Sequence, residues 1–186
     1  AMVYVAAKVT GFASNKVMGM AGALDSARFC CFLGLELGVS VEDIKCVLMG
    51  GHGDDMVPLP RFTSVGGIPI AELLDEDTIA TLIERTRKGG IEIVNLLGSS
   101  AYYAPAAGAV KMADAILRDK KTLLSCCAYC DGEYGVGGYF VGVPAVLGAK
   151  GVEKVIELDL DHSEQAQFRQ SLTHVKQLAA KVDELL

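Results

Sequence analysis

Three β-type runs, Thr122 to Asp131, Gly138 to Leu147 and Val152 to Leu160, follow one another with glycine-rich turns between them. No other feature constrains the fold as strongly, because the helical stretches lie outside this block. Ala1 to Thr10 reads as helical. Ala23 to Gly38 does so more clearly, with Leu24, Phe29, Phe32, Leu33 and Leu37 at helical spacing and Gly38 placed as a C-cap. Asp75 to Leu97 carries Ile79, Leu82, Ile83 and Ile93 on an apolar stripe, and Ala101 to Arg118 is an alanine-rich helix. A final amphipathic helix, capped by Ser163, presents Phe168, Leu172, Val175, Leu178 and Val182. Asn15 to Met20 and Lys45 to Met49 read as short strands, and Arg61 to Ile70, broken by Gly66-Gly67 and Pro69, as a hairpin. Helices and strands are grouped rather than strictly alternating. The pattern predicts an α+β domain of largely antiparallel strands packed with long helices.

Composition narrows the function. Of the 186 residues, 51% are hydrophobic and 22% charged, so the chain is globular. A net charge of −6 and a pI of about 5.1 disfavour nucleic acid or an anionic membrane as partner. They do not exclude an anionic substrate, since one buried arginine outweighs a distant field. No apolar run approaches the roughly 20 residues of a membrane span. Ala101 to Val110 is the longest obvious stretch, and Lys111 ends it. No basic-then-apolar leader is present. Ala1 to Ala7 reads as helix interior without a cap, as expected of a larger protein that has lost its N-terminal part. No G-x-G-x-x-G follows a strand, so a dinucleotide fingerprint is absent from this chain.

Six cysteines are present, and Cys127-Ala128-Tyr129-Cys130 has C-x-x-C spacing. On a strand, residues three apart point to opposite faces, so the pair is expected to pack as small hydrophobes rather than to bind zinc or cycle redox. No metal site is expected.

Three histidines occur. His162 and His174 sit among polar neighbours and are expected at the solvated surface. His52 differs: the apolar run Cys46-Val47-Leu48-Met49 precedes it, and Gly50-Gly51 and Gly53 flank it. A strand end followed by glycines places a side chain at the rim of a cleft, with a satisfied structural histidine as the alternative on local context alone. Asp25 and Arg28, three apart, share one helix face. They suit either a surface ion pair or two separate tasks. In the second case a buried carboxylate fixes the tautomer of an imidazole, and a guanidinium grips a substrate carboxylate bidentately.

The segments Gly19-Met20-Ala21-Gly22-Ala23-Leu24-Asp25-Ser26-Ala27-Arg28-Phe29 and Gly50-Gly51-His52-Gly53-Asp54-Asp55-Met56-Val57-Pro58-Leu59-Pro60-Arg61 resemble the lactate and malate dehydrogenase family of 2-hydroxy-acid dehydrogenases. Ser99 to Ala106, Asp131-Gly132-Glu133-Tyr134-Gly135 and Gly142-Val143-Pro144 resemble its lactate-dehydrogenase-like malate dehydrogenase branch. The similarity covers essentially the whole chain. It implies that residues 1–186 are the C-terminal catalytic and substrate-binding domain, the N-terminal Rossmann domain being absent.

By this resemblance, His52 matches the family's proton donor and acceptor, Asp25 its carboxylate partner, and Arg28 the arginine that grips the substrate's C1 carboxylate. Ala101 falls in the substrate pocket, and Met20, Leu24 and Pro105 lie near the nicotinamide. The implied reaction is NAD-dependent oxidation of (S)-malate to oxaloacetate, a step of the tricarboxylic acid cycle. A cytoplasmic homodimer or homotetramer acting on a small dicarboxylate is implied with it. The nucleotide loop, the ribose-binding acidic residue and the substrate-specificity loop lie before Ala1 in the family. The chain alone is therefore expected neither to hold NAD tightly nor to turn over. Lactate oxidation, or a non-catalytic assembly role for a naturally truncated chain, are the alternatives. Cys30 stands where some allosterically activated lactate dehydrogenases carry an effector-binding arginine, so that regulation is not expected.

Overall fold

The computed structural model describes residues 1–100 and 102–185. The expected strand trio forms the centre of the molecule. β6 (Thr122–Asp131) and β7 (Gly137–Gly148) pair antiparallel along their whole length, from Thr122 opposite Leu147 to Asp131 opposite Gly137. The other edge of β7 is shared. β8 (Gly151–Val155) pairs with its C-terminal part and β2 (Leu48–Gly50) meets it at Gly142, while β3 (Met56–Pro58) extends the sheet beyond β2. A small second sheet, order β1-β4-β5, joins β1 (Ile44–Lys45), β4 (Ser64–Val65) and β5 (Ile68–Pro69). Every pairing is antiparallel, as the grouping of elements predicted.

Among the described residues five α-helices surround the sheets: α1 (Met2–Thr10), α2 (Gly22–Leu37), α3 (Glu76–Leu97), α4 (Tyr103–Leu117) and α5 (His162–Leu185). Two apolar clusters hold α2, α3, α4 and α5. In one, Val143 and Leu147 of β7 meet Met112 of α4 and Phe168 and Leu172 of α5. In the other, Phe29 and Leu33 of α2 meet Ile79 and Leu82 of α3 with Ile44 and Leu48. Burying a side chain of this size is worth about 1.5–3 kcal/mol, so the second cluster fixes α2 firmly between α3 and β2. Among the described residues no helix is long and apolar enough to cross a membrane.

Several boundaries differ from the sequence reading. Asn15 to Met20 is not a strand. Ser14–Lys16 forms a 3-10 turn, Asn15 Nδ2 donates to the Lys150 carbonyl, and only Gly19 pairs, with Cys127. The run at Lys45 to Met49 divides: Ile44 and Lys45 join the small sheet and Leu48 onward joins the large one. The third strand of the trio stops at Val155 rather than Leu160, because the Tyr134 hydroxyl donates to the Ile156 carbonyl and accepts from the Leu158 amide. A side chain there replaces a neighbouring strand.

The last helix is capped by Asp161, not Ser163. Asp161 Oδ1 accepts from the Glu164 amide and Glu164 Oε2 from the Asp161 amide, a reciprocal capping box. On its face Ala179 is buried and Leu178 is exposed. The hairpin around Gly66-Gly67 and the left-handed Gly38 at the end of α2 (φ 66°) are as expected. The alanine-rich helix runs from Tyr103, and Ala101 lies outside the described residues.

Candidate active site

Two elements meet at His52. β2 ends at Gly50, whose φ of 77° is a left-handed conformation that favours glycine. Gly50 lies opposite Gly142 of β7, where an added Cβ on Gly142 would sit 2.1 Å from the Gly50 carbonyl oxygen. The chain then turns through Gly51 and leaves His52 at the head of the 3-10 turn Gly53–Asp55. From the other side comes α2. A Cβ on its first residue, Gly22, would lie 2.3 Å from the Leu48 carbonyl oxygen, so glycine alone lets the helix start directly on β2. Ala21, just before it, holds φ 33° and ψ −117°, a region that residues with a Cβ rarely occupy.

That close approach brings the first turn of α2 to His52. His52 Nδ1 lies 2.9 Å from Asp25 Oδ2. The His52 side chain is 56% exposed and that of Asp25 only 1%. An ionised carboxylate only accepts, so Nδ1 carries the hydrogen and Nε2 is the nitrogen left to exchange a proton. The Asp25 hydrogen bond raises the His52 pKa above its usual value. Partial burial opposes this, the Asp25 charge adds to it, and the Arg28 charge opposes it.

Arg28 shares the Asp25 face, its Nη1 3.5 Å from Asp25 Oδ1. Its side chain lies along Gly89 and Gly90 of α3. A Cβ on Gly89 would meet Arg28 Cδ at 3.2 Å, and one on Gly90 would meet Nη2 at 3.7 Å. Arg28 Nε is buried without a hydrogen-bond partner among the described residues. A buried donor left unmade costs about 1–3 kcal/mol, so the guanidinium is held with unspent capacity for an acceptor. A carboxylate is the acceptor whose geometry fits it.

Met20 lies two residues before α2 and Leu24 in its first turn, and Met20 Sδ is 3.1 Å from where a Cβ on Gly108 of α4 would be. Pro105 lies three residues before Gly108, on the same helix face. Met20 thus packs on α4 close to the first turn of α2, which carries Leu24 and Asp25. The structure brings together His52, Asp25 and Arg28, and rests Met20 against the helix on which Pro105 lies.

Further participants escaped the sequence reading. The Gly51 amide donates to Ser171 Oγ at 2.7 Å, as well as to the Asp55 carbonyl. His174 Nδ1 lies 2.5 Å from Asp55 Oδ1. His174 was expected in solvent, but it is half-buried and paired, and with Ser171 it fastens the His52 loop to α5. The pair Gly89-Gly90 did leave a signal. Two glycines inside a 22-residue helix weaken it by roughly 1 kcal/mol each unless something needs the space. Cys127 is only half-buried, while Cys126 and Cys130 point into the core from the other face of β6, as alternation predicted.

Residues 22–185 match the lactate/malate dehydrogenase alpha/beta C-terminal domain family. Malate dehydrogenase from Salinibacter ruber is 58% identical over 174 residues, covering 94% of this chain and 55% of that protein. The 1.55 Å structure of malate dehydrogenase from that organism superposes with a TM-score of 0.97 at 55% identity, over 99% of this chain and 60% of that one. Lactate dehydrogenase from Cryptosporidium parvum, in complex with lactic acid and nicotinamide adenine dinucleotide, gives a TM-score of 0.94 at 42% identity, over 98% of this chain and 59% of that one. The chain therefore spans little more than half the length of these relatives. With a family match across nearly all of its residues, the chain belongs to the lactate/malate dehydrogenases and carries the sequence of their alpha/beta C-terminal domain.

Proposed function

We propose that this chain is the proton-handling and substrate-binding half of an NAD-dependent malate dehydrogenase, which interconverts (S)-malate and oxaloacetate. The observation that carries the reading is the junction of an exposed imidazole, a buried carboxylate at 2.9 Å and a guanidinium with an unpartnered buried Nε. The similarity to malate dehydrogenases along nearly the whole chain supports the substrate class.

Oxidising a secondary alcohol requires removal of a proton from oxygen and of hydride from carbon. His52 Nε2 takes the hydroxyl proton when neutral and returns it as imidazolium in the reverse direction. Asp25 holds Nδ1 and stabilises the imidazolium. Arg28 grips the C1 carboxylate and fixes which face of the carbon is presented. Met20, packed beside Gly108 of α4, with Leu24 and Pro105, would hold the nicotinamide ring. When bound, that ring supplies the hydride chemistry.

The remaining binding apparatus for the dinucleotide belongs, on this reading, to a nucleotide-binding domain joined to this one. The intact enzyme is proposed to be a cytoplasmic homodimer or homotetramer. Exposed Leu96, Leu97, Tyr103 and Val110 on α3 and α4 leave apolar surface for such contacts. Lactate oxidation is the competing reading, supported by the likeness to the Cryptosporidium parvum lactate dehydrogenase. Comparing kcat/KM of the intact protein for oxaloacetate and for pyruvate with NADH separates the two. Preference for oxaloacetate supports the malate reading, and preference for pyruvate overturns it.

A further inference from the structure

Two cysteines from separate elements face each other beside the site. Cys30 lies on α2, two residues past Arg28, and Cys46 lies in the segment entering β2, six residues before His52. Their Sγ atoms are 3.2 Å apart. Cys46 Sγ also lies 3.2 Å from the Ser26 carbonyl oxygen, and Cys30 Sγ 3.8 Å from that of Ile44. Each thiol thus has a carbonyl acceptor of its own and the other sulfur beside it, in a half-buried space.

We propose that Cys30 and Cys46 form a proximal dithiol site whose ligand class is hydroperoxides, which close it to an intramolecular disulfide. It stands independently of the malate reading, since it rests on neither His52 nor Arg28.

The two thiols are not equivalent. The hydrogen bond from Cys46 pulls the Cys30 pKa down, burial opposes this, and the charges of Lys111 and Lys45 lower it further. The same hydrogen bond, with burial, pushes Cys46 up. Cys30 is therefore the nucleophile. Its thiolate attacks one oxygen of the hydroperoxide. The O–O bond breaks, Cys30 becomes a sulfenic acid, and the leaving alkoxide takes a proton to give an alcohol, or water when the oxidant is hydrogen peroxide. The Cys46 sulfur then attacks the Cys30 sulfur, the S–O bond breaks, and hydroxide leaves with the thiol proton as water. Two thiols lose two electrons and two protons, and the hydroperoxide gains them. The hydrogen bond that raises Cys46 ends once Cys30 is a sulfenic acid, which frees Cys46 for the second step.

A disulfide needs its sulfurs at about 2.05 Å, so closure brings the two sulfurs about 1 Å nearer than they stand. The other thiols of the sheet are poorly suited. Burial pushes Cys126 and Cys130 up to about 12 and Cys127 up to about 11.

The test is to expose the reduced intact protein to hydrogen peroxide, alkylate the remaining thiols, and map peptides without reduction. The expected result is one cross-linked peptide pair joining Cys30 to Cys46, with Cys126, Cys127 and Cys130 alkylated. Cys46→Ser should accumulate a sulfenic acid at Cys30 that a 1,3-dione traps, whereas Cys30→Ser should leave Cys46 a free thiol. Alkylation of Cys30 and Cys46 undiminished by peroxide, or Cys30 recovered joined to Cys31 of another molecule in place of Cys46, would overturn the proposal.

Discussion

The His52 imidazole and the Asp25 carboxylate meet at 2.9 Å across a boundary of burial, the histidine side chain more than half exposed and the aspartate sealed beneath it. The other carboxylate oxygen, Oδ1, lies 3.5 Å from Arg28 Nη1.

This arrangement sets the pH behaviour of His52. The hydrogen bond to Asp25 is the largest influence and raises the pKa, whereas burial and Arg28 lower it. The titration midpoint of His52, followed by NMR of its ring protons, should lie above about 6.5. In Asp25→Asn it should fall, because the carboxylate charge that favours imidazolium is lost while burial and Arg28 still lower the pKa. The linked stability has a definite sign. A raised pKa stabilises the fold fully below about 6.5 and less as pH rises through the folded midpoint. An unchanged midpoint in Asp25→Asn would remove the carboxylate from the account.

Arg28→Lys tests the carboxylate grip. Lysine keeps the charge but loses the planar fork. Hydrogen bonds to charged groups are worth about 1.5–3 kcal/mol, so KM for the dicarboxylate should rise on the order of 10- to 100-fold in the intact enzyme. A KM equal to that of the parent would contradict the role.

Gly89→Ala separates stability from site geometry. Alanine favours a helix by about 1 kcal/mol over glycine, yet its Cβ would lie 3.2 Å from Arg28 Cδ. The variant should show little change in Tm together with a raised KM, since the guanidinium is displaced. A loss of Tm with unaltered KM would mean that Gly89 serves packing alone.

Ser171→Ala tests the fastening of the His52 loop. Gly51 N–H would keep only the Asp55 carbonyl as acceptor. The expected cost is about 1 kcal/mol, with faster amide exchange confined to the segment from Gly51 to Asp55. Exchange spread over all of α5 would indicate loss of the helix rather than of the fastening.

The sequence made α2 legible because its core is local. Leu24, Phe29 and Leu33 repeat at helical spacing and Gly38 ends the helix in the left-handed region. The same holds for β6 and β7, whose length and composition admit little else. Other features depend on distant partners. β8 ends where a tyrosine from another turn, Tyr134, takes over its hydrogen bonds, and β1 and β2 separate because each finds a different neighbour. The candidate site divides the same way. Asp25 and Arg28 share a helix face and could be paired by eye. Ser171 and His174 join the His52 loop from 120 and 119 residues away, on helix positions that look like ordinary surface.

The most direct measurement is the pH dependence of kcat/KM for NADH-linked oxaloacetate reduction by the intact protein, set beside His52→Gln. Reduction, which needs imidazolium, should decline as pH rises through the raised His52 midpoint. His52→Gln should lose activity on the order of 100- to 10,000-fold together with that pH dependence. A His52→Gln enzyme that retains parental kcat/KM and the same profile would contradict the role of His52.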